Sequence, residues 1–328
     1  MALPADTGPA MPMNIVHGTH AELILFLVLN MWPSHFGLPI LLAIVLLSKR
    51  VQRHPTFVNL LIVFMVVGIS SSLLVYAGNA SGPEPSPALC LAQAALLYGM
   101  PGITSVAVFA LVFQVALGPY FRILLTQKFQ MFIVIRAAFY KQPSRDTHFV
   151  RIWVMIIAPY AVWIVFIVVT VFVGVGEPAN VSRDRRFFYC SVKSDALTGT
   201  LTIFAAVVLL ATLILEAWTI VLFYKRWVSI ARGSSGMFTA AELNLPLLIL
   251  AFGMYLLVAM SLSLLSMKSP ESPIPDLIIA SAATVVILIF GTQLDILRAI
   301  CFWRKEVSIG DTSNDSTNDS EVYKRTTY

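Results

Sequence analysis

Seven stretches of this chain are apolar over a length that matches the hydrocarbon core of a bilayer. They run Glu22–Leu47, Phe57–Gly78, Ala88–Leu117, Ile152–Val175, Gly199–Tyr224, Leu245–Ser266 and Leu277–Ile300. A helix crossing a core of about 30 Å needs roughly 20 such residues, and a helix in lipid satisfies its own backbone hydrogen bonds. Only 12% of the 328 residues are charged, against about 25% in soluble proteins, so the chain lacks the polar groups to cover a water-facing surface. The expected fold is an all-α membrane protein, a bundle of seven transmembrane helices spanning 22–300. Two bends are expected. Pro33 and Pro39 bracket "PSHFGLP" in the first stretch, and Pro101 lies between Gly99 and Gly102 in "GMPGI" of the third. A proline frees a carbonyl that a neighbouring group must satisfy. No repeat of 20–50 residues supports a solenoid or a repeat transporter.

Charge sets the orientation. Lys and Arg near span ends favour the cytoplasmic side. With the N-terminal segment 1–21 outside, 17 of the 22 basic residues fall inside, and only Arg183, Arg185, Arg186, Lys193 and Lys268 fall outside. The net charge of +5 therefore reports topology and gives no reason to invoke nucleic acid. Residues 1–20 have neither a basic start nor a compact apolar core, so the first span is expected to direct insertion itself.

This orientation puts "RRFFYCSVK", residues 185–193, in the second outer loop and Cys90 at the outer end of the third span. Both thiols then face the oxidising side, where disulfides persist. A Cys90–Cys190 bridge is expected, the alternative being two buried free thiols. Cys301, the third cysteine, lies at the cytoplasmic end of the last span in "AICFWRK". It is either a palmitoylation site or an unmodified interfacial cysteine. Of four Asn-x-Ser sequons, Asn79 and Asn180 lie outside, and Asn314 and Asn318 lie in the tail.

Ionisable groups are costly inside a bilayer and mark function by default. Glu216 lies in the inner half of the fifth span. It is either a hydrogen-bonded protonated acid or a switch. Asp295 and Arg298 share a helix face at the inner end of the seventh, and His35 lies between the prolines of the first. The outer halves carry Gln93, Tyr98, Tyr255, Ser261, Ser281 and Thr284. Scattered polar groups in an apolar setting suit a small-molecule or peptide pocket, or ordinary helix–helix hydrogen bonding. The last span has no lysine for a retinal Schiff base. Only five histidines exist, too scattered for a zinc hydrolase, and no phosphate-binding loop or nucleophile elbow stands in a usable context. No enzymatic activity, metal or cofactor is expected.

On the inner side, 119–150 mixes aromatics and aliphatics with basic residues. It reads as a segment on the membrane surface, a partner-docking helix, an extension of the third span, or an unspliced insertion. Past the seventh span, Ile296, Leu297, Ile300, Cys301 and Phe302 alternate with or precede Arg298, Arg304 and Lys305, compatible with a short amphipathic helix along the membrane. The tail that follows is polar enough to be disordered. Ser308, Thr312, Ser313, Ser316, Thr317 and Ser320 are its candidate phosphorylation sites.

Seven spans, Cys90 and Cys190, and an amphipathic segment before a hydroxyl-rich tail together resemble the G-protein-coupled receptor superfamily. The closing "FGTQLDILRAICFWRK" resembles the ends of orphan seven-transmembrane receptor-like proteins of mushroom-forming fungi. The chain departs from the rhodopsin-like pattern. "FQVALGPYFR" lacks the acidic-Arg-aromatic triplet, the body of the sixth span past Pro246 has no proline, and "GTQLD" stands where Asn-Pro-x-x-Tyr is expected. The cyclic-AMP-receptor-like and fungal receptors are the closer comparison, with the pheromone receptors an alternative. The resemblance implies a plasma-membrane receptor for an unknown extracellular ligand, embedded in membrane lipids. It would couple to a heterotrimeric G protein through Arg122, Lys225, Arg226, Asp295 and Arg298. A seven-span transporter or channel using Glu216, and a membrane scaffold, are the competing expectations. Glycosylation mapping checks the orientation: Asn180→Gln is expected to remove a sugar, and Asn314→Gln with Asn318→Gln to change nothing.

Overall fold

The computed structural model describes residues 19–48, 53–81, 84–127, 145–183, 188–231, 251–255, 258, 261, 273–293 and 296–297; the side chains of 117–127, 145–148, 222–223, 226–227 and 229–231 lie outside the description. The protein is predominantly helical, and among the described residues five helical segments are long and apolar enough to cross a membrane. The expectations for 1–18, 128–144, the tail, Asp295, Arg298 and Cys301 fall outside the described residues.

The first stretch is α1 (His20–Trp32), a π-turn (Pro33–Gly37) and α2 (Leu38–Leu47). A capping box opens it: the Thr19 hydroxyl accepts from the Glu22 N–H, and the Glu22 carboxylate accepts from the Thr19 N–H. The expected bend at Pro33 is the π-turn. Its backbone is serviced from within, because the Ser34 hydroxyl donates to the Asn30 carbonyl at 2.6 Å. The second stretch is α3 (Pro55–Ser71) and α4 (Leu73–Tyr76). Three consecutive serines break it. Ser70, Ser71 and Ser72 each donate to the carbonyl four residues back, at 2.8, 2.9 and 2.8 Å, a bond that bends helices. Gly78, with φ of 70°, ends the segment, as glycine does at left-handed helix termini.

The third stretch divides into α5 (Pro87–Tyr98) and α6 (Met100–Gln127) at Gly99, where the "GMPGI" bend is expected. A Cβ on Gly99 would lie 2.9 Å from the Trp163 indole nitrogen, and that indole donates to the Leu96 carbonyl at 3.2 Å. α7 (Arg145–Gly176) and α8 (Asp195–Ala231) both extend past the expected bounds. The sixth stretch is represented by helical residues at 251–255, 258 and 261. The seventh is α9 (Ile274–Ala280) and α10 (Ala282–Gly291). Its continuous helix ends at Gly291, short of the expected Ile300, because a turn at Thr292–Gln293 intervenes.

α6 packs against α3, α7 and α8, and α5 packs against α7 and a small hairpin. The most apolar 18 residues of Pro87–Ala116 are 56% buried and those of Phe149–Gly176 11%, so α5–α6 is the hub and α7 the periphery. The main core draws Leu38 from α2, Leu60 from α3, Ile103 from α6, Phe252 from residues 251–255, and Val286 and Phe290 from α10. Phe252 seats residues 251–255 between neighbours, with its ring centroid 6.0 Å from both Phe64 and Phe290.

Gly68 faces the π-turn so closely that a Cβ would sit 2.6 Å from the Ser34 hydroxyl and 2.8 Å from the Asn30 carbonyl, whereas Gly199 faces open space. Gly68→Ala is therefore expected to lower stability by about 1–3 kcal/mol, and Gly199→Ala to raise it by about 0.4–1 kcal/mol. Thermal unfolding midpoints of the two variants in nanodiscs check the contrast.

Candidate functional site

One end of the bundle is covered by the loop that joins α7 to α8. Its 3₁₀ turn (Pro178–Asn180) leads into β1 (Val181–Ser182), which pairs antiparallel with β2 (Ser191–Val192). The hairpin holds because its backbone groups pair with each other, and because the Lys193 N–H donates to the Asn180 carbonyl at 2.8 Å. Such a short ladder is marginal alone. Its stability comes from what it is fastened to.

The fastening begins at Cys90 and Cys190, which form a disulfide with Cα atoms 5.2 Å apart. Both are sealed from solvent, along with Leu74, Ala94 and Val192. One helical turn below Cys90, the Gln93 carboxamide is fully buried. Its oxygen accepts from the Cys190 N–H at 3.0 Å, so it satisfies the backbone of the residue that the disulfide brings in. Tyr98, further along α5, donates its hydroxyl to the Val192 carbonyl at 2.7 Å. Gln93 and Tyr98, expected to line a ligand pocket, thus spend these polar atoms on the loop.

Three further attachments come from residues that the sequence reading did not single out. Arg183 is 6% exposed, and its guanidinium donates to the Asn79 and Ala80 carbonyls at 3.2 and 2.9 Å. Those carbonyls belong to the turn closed by Gly78. Burial lowers the Arg183 pKa from its ordinary value, and the Glu84 carboxylate raises it in opposition. Phe188 stacks on Phe26 of α1, with ring centroids 4.5 Å apart and planes within 2°. Tyr189 donates to the Asp276 carboxylate of α9 at 3.1 Å. The aromatic pair beside Cys190 in "RRFFYC" was the available signal. The loop is therefore pinned to four parts of the bundle: α1, the turn after α4, α5 and α9.

The other expected pocket residues divide. Tyr255 and Ser281 meet, with hydroxyls 2.6 Å apart, and Tyr255 also donates to the Ile278 carbonyl at 2.5 Å. This contact joins residues 251–255 to the α9–α10 junction. Thr284 is half-buried on α10, and Ser261 is exposed. Asn79 and Asn180 are both half-buried, and the Asn180 amide donates to the Glu177 carboxylate.

At the opposite end, Lys225 is exposed on α8. Arg226 and Arg122 lie on helical backbone, with side chains outside the described residues. Arg53, just before α3, donates to the Gln293 carboxamide that follows α10, a contact missed because nothing in the sequence links positions so far apart. The phosphorylation candidates from Ser308 to Ser320 lie outside the described residues. Neither a protein-family model nor a curated protein matches the chain.

Replacing Gln93 by Leu leaves the buried Cys190 N–H without its acceptor. The expected cost is about 1–3 kcal/mol, and the lifted loop should admit a water-soluble reductant to the disulfide. Thiol counting over time checks this. The wild-type bond should resist reduction in the folded protein, and the Gln93→Leu bond should yield measurably faster.

Proposed function

We propose that the protein is a seven-helix receptor of the plasma membrane, with its N-terminus outside, that transmits an extracellular chemical signal to a cytoplasmic heterotrimeric G protein. In this reading, the α3–α4 segment and the stretch that holds the helical residues 251–255, 258 and 261 complete the seven spans. The observation that carries it is the disulfide-fastened loop. A bridge of this kind persists on the oxidising side, and the segments that this reading assigns to the cytoplasm carry 17 of the 22 basic residues, as cytoplasmic segments do. The same assignment places the docked loop where an outside ligand arrives.

Such a ligand acts by binding one helix arrangement better than another. The pinned loop makes this effective, because displacement at the mouth is passed to α1, α5 and α9 together. At the inner end, α6 and α8 run to Gln127 and Ala231. They thereby carry Arg122, Lys225 and Arg226 beyond the most apolar part of the bundle, where they would meet an acidic partner surface. The competing transport reading has one observation in its favour, the buried Glu216 carboxyl. Ion flux in proteoliposomes that disappears on Glu216→Gln would select it.

The test uses the full chain in nanodiscs and purified heterotrimers of each Gα class. Capture is expected to strengthen when GDP is removed and to reverse on adding GTPγS. Lys225→Glu with Arg226→Glu should weaken capture about tenfold, through like-charge contact with the partner. Capture that no nucleotide alters, across every Gα class, would overturn the reading.

A further inference from the structure

The inner half of α8 carries one acid that no part of the receptor reading uses. Glu216 is 5% exposed, and the flanking Thr212 and Thr219, on the same helix face, are 3% and 9% exposed. The threonines do not serve it as donors: their hydroxyls donate to the Val208 and Leu215 carbonyls at 2.9 and 2.7 Å. The Glu216 Oε1 atom is buried without a hydrogen-bond partner among the described residues. Across the interface stands Gly253. A side chain there would overlap the Glu216 carboxyl group itself, so the absent Cβ is the space the carboxyl occupies.

Among the described residues, the segments packed on it bring no charge to neutralise a carboxylate. α6, which packs along α8, has no charged residue between Met100 and Ala116, and Arg122 lies further along. Residues 251–255 offer one titratable group, Tyr255, whose hydroxyl is engaged with Ile278 and Ser281. An unpaired carboxylate in such a place costs several kcal/mol. Protonation removes that cost, and so does parting the helices to admit water.

We infer that Glu216 and the Gly253 notch form a proton-binding site between α8 and the helix of residues 251–255, occupied by a proton when the two helices are closed and emptied when they part. The site binds a proton and nothing larger, because the notch is filled by the carboxyl itself. Linkage then runs both ways: whatever separates these helices releases a proton, and raising the pH favours separation. This goes beyond the receptor reading and does not depend on which partner binds inside.

Infrared spectroscopy of the full chain in nanodiscs tests it through the C=O stretch of a protonated carboxyl. At neutral pH the wild type should show this band, shifting in D₂O, and Glu216→Gln should lack it. Gly253→Ala should push the helices apart and reduce the band at least about threefold at the same pH, while an intact Cys90–Cys190 bridge by thiol count shows that the variant is folded. A wild-type spectrum identical to that of Glu216→Gln would overturn the inference. So would a folded Gly253→Ala variant that keeps the full band.

Discussion

Lipid offers no water to a broken helix, and the architecture follows from how each break is repaired. Four interruptions lie in or beside the apolar segments, and each has a donor at hand. Ser34 reaches back to the Asn30 carbonyl within the π-turn. Serines 70–72 do the same before α4. The Trp163 indole crosses from α7 to the Leu96 carbonyl beside the Gly99 break. Tyr255 crosses to Ile278 before the Ser281 junction. The first two repairs are local, so they bend single helices. The last two join helices, so a break in one becomes a contact with another. An unpaired backbone group in hydrocarbon costs several kcal/mol, enough to make such donors fixed points of the packing.

Small residues decide where these helices touch. Gly68 lets α3 approach the π-turn, Gly99 receives Trp163, and Gly253 receives Glu216. With lipid as apolar as the side chains, close approach and hydrogen bonds do the work that exclusion from water does in a soluble core. The same economy operates at the mouth. The loop hairpin is too short to hold itself, and it borrows order from the disulfide, Gln93, Tyr98, Arg183, Phe188 and Tyr189. The Gln93, Tyr98 and Arg183 attachments also satisfy backbone groups: the Cys190 N–H and the Val192, Asn79 and Ala80 carbonyls. The mouth and the Glu216 notch are thus opposite solutions to one problem. At the mouth the loop is fastened to the helices at several points, whereas in the notch an acid is enclosed with one oxygen unpartnered among the described residues.

Much of this was legible in the sequence. Among the described residues five helical segments are long and apolar enough to cross a membrane, because length and composition select a helix in lipid. The bends at Pro33 and at Gly99–Pro101 stand where the residues announced them, since a missing N–H acts within one turn. The Cys90–Cys190 pairing was readable from the compartment that charge bias assigns to both thiols. The early end of α10 was not, because the turn at Thr292–Gln293 interrupts a run whose apolar pattern continues.

What the sequence alone determined is the kind of molecule, a predominantly helical chain with segments of bilayer length, which is a consequence of local composition. Only the tertiary structure decided what the polar residues are for. Gln93 and Tyr98 carry the same side chains whether they face a ligand or a loop. Their role was set when Cys190 delivered a backbone N–H and Val192 a carbonyl from about a hundred residues away. Glu216 is likewise defined by a glycine on another helix. Partners of this kind are chosen by three-dimensional proximity, and no periodicity or spacing along the chain encodes it.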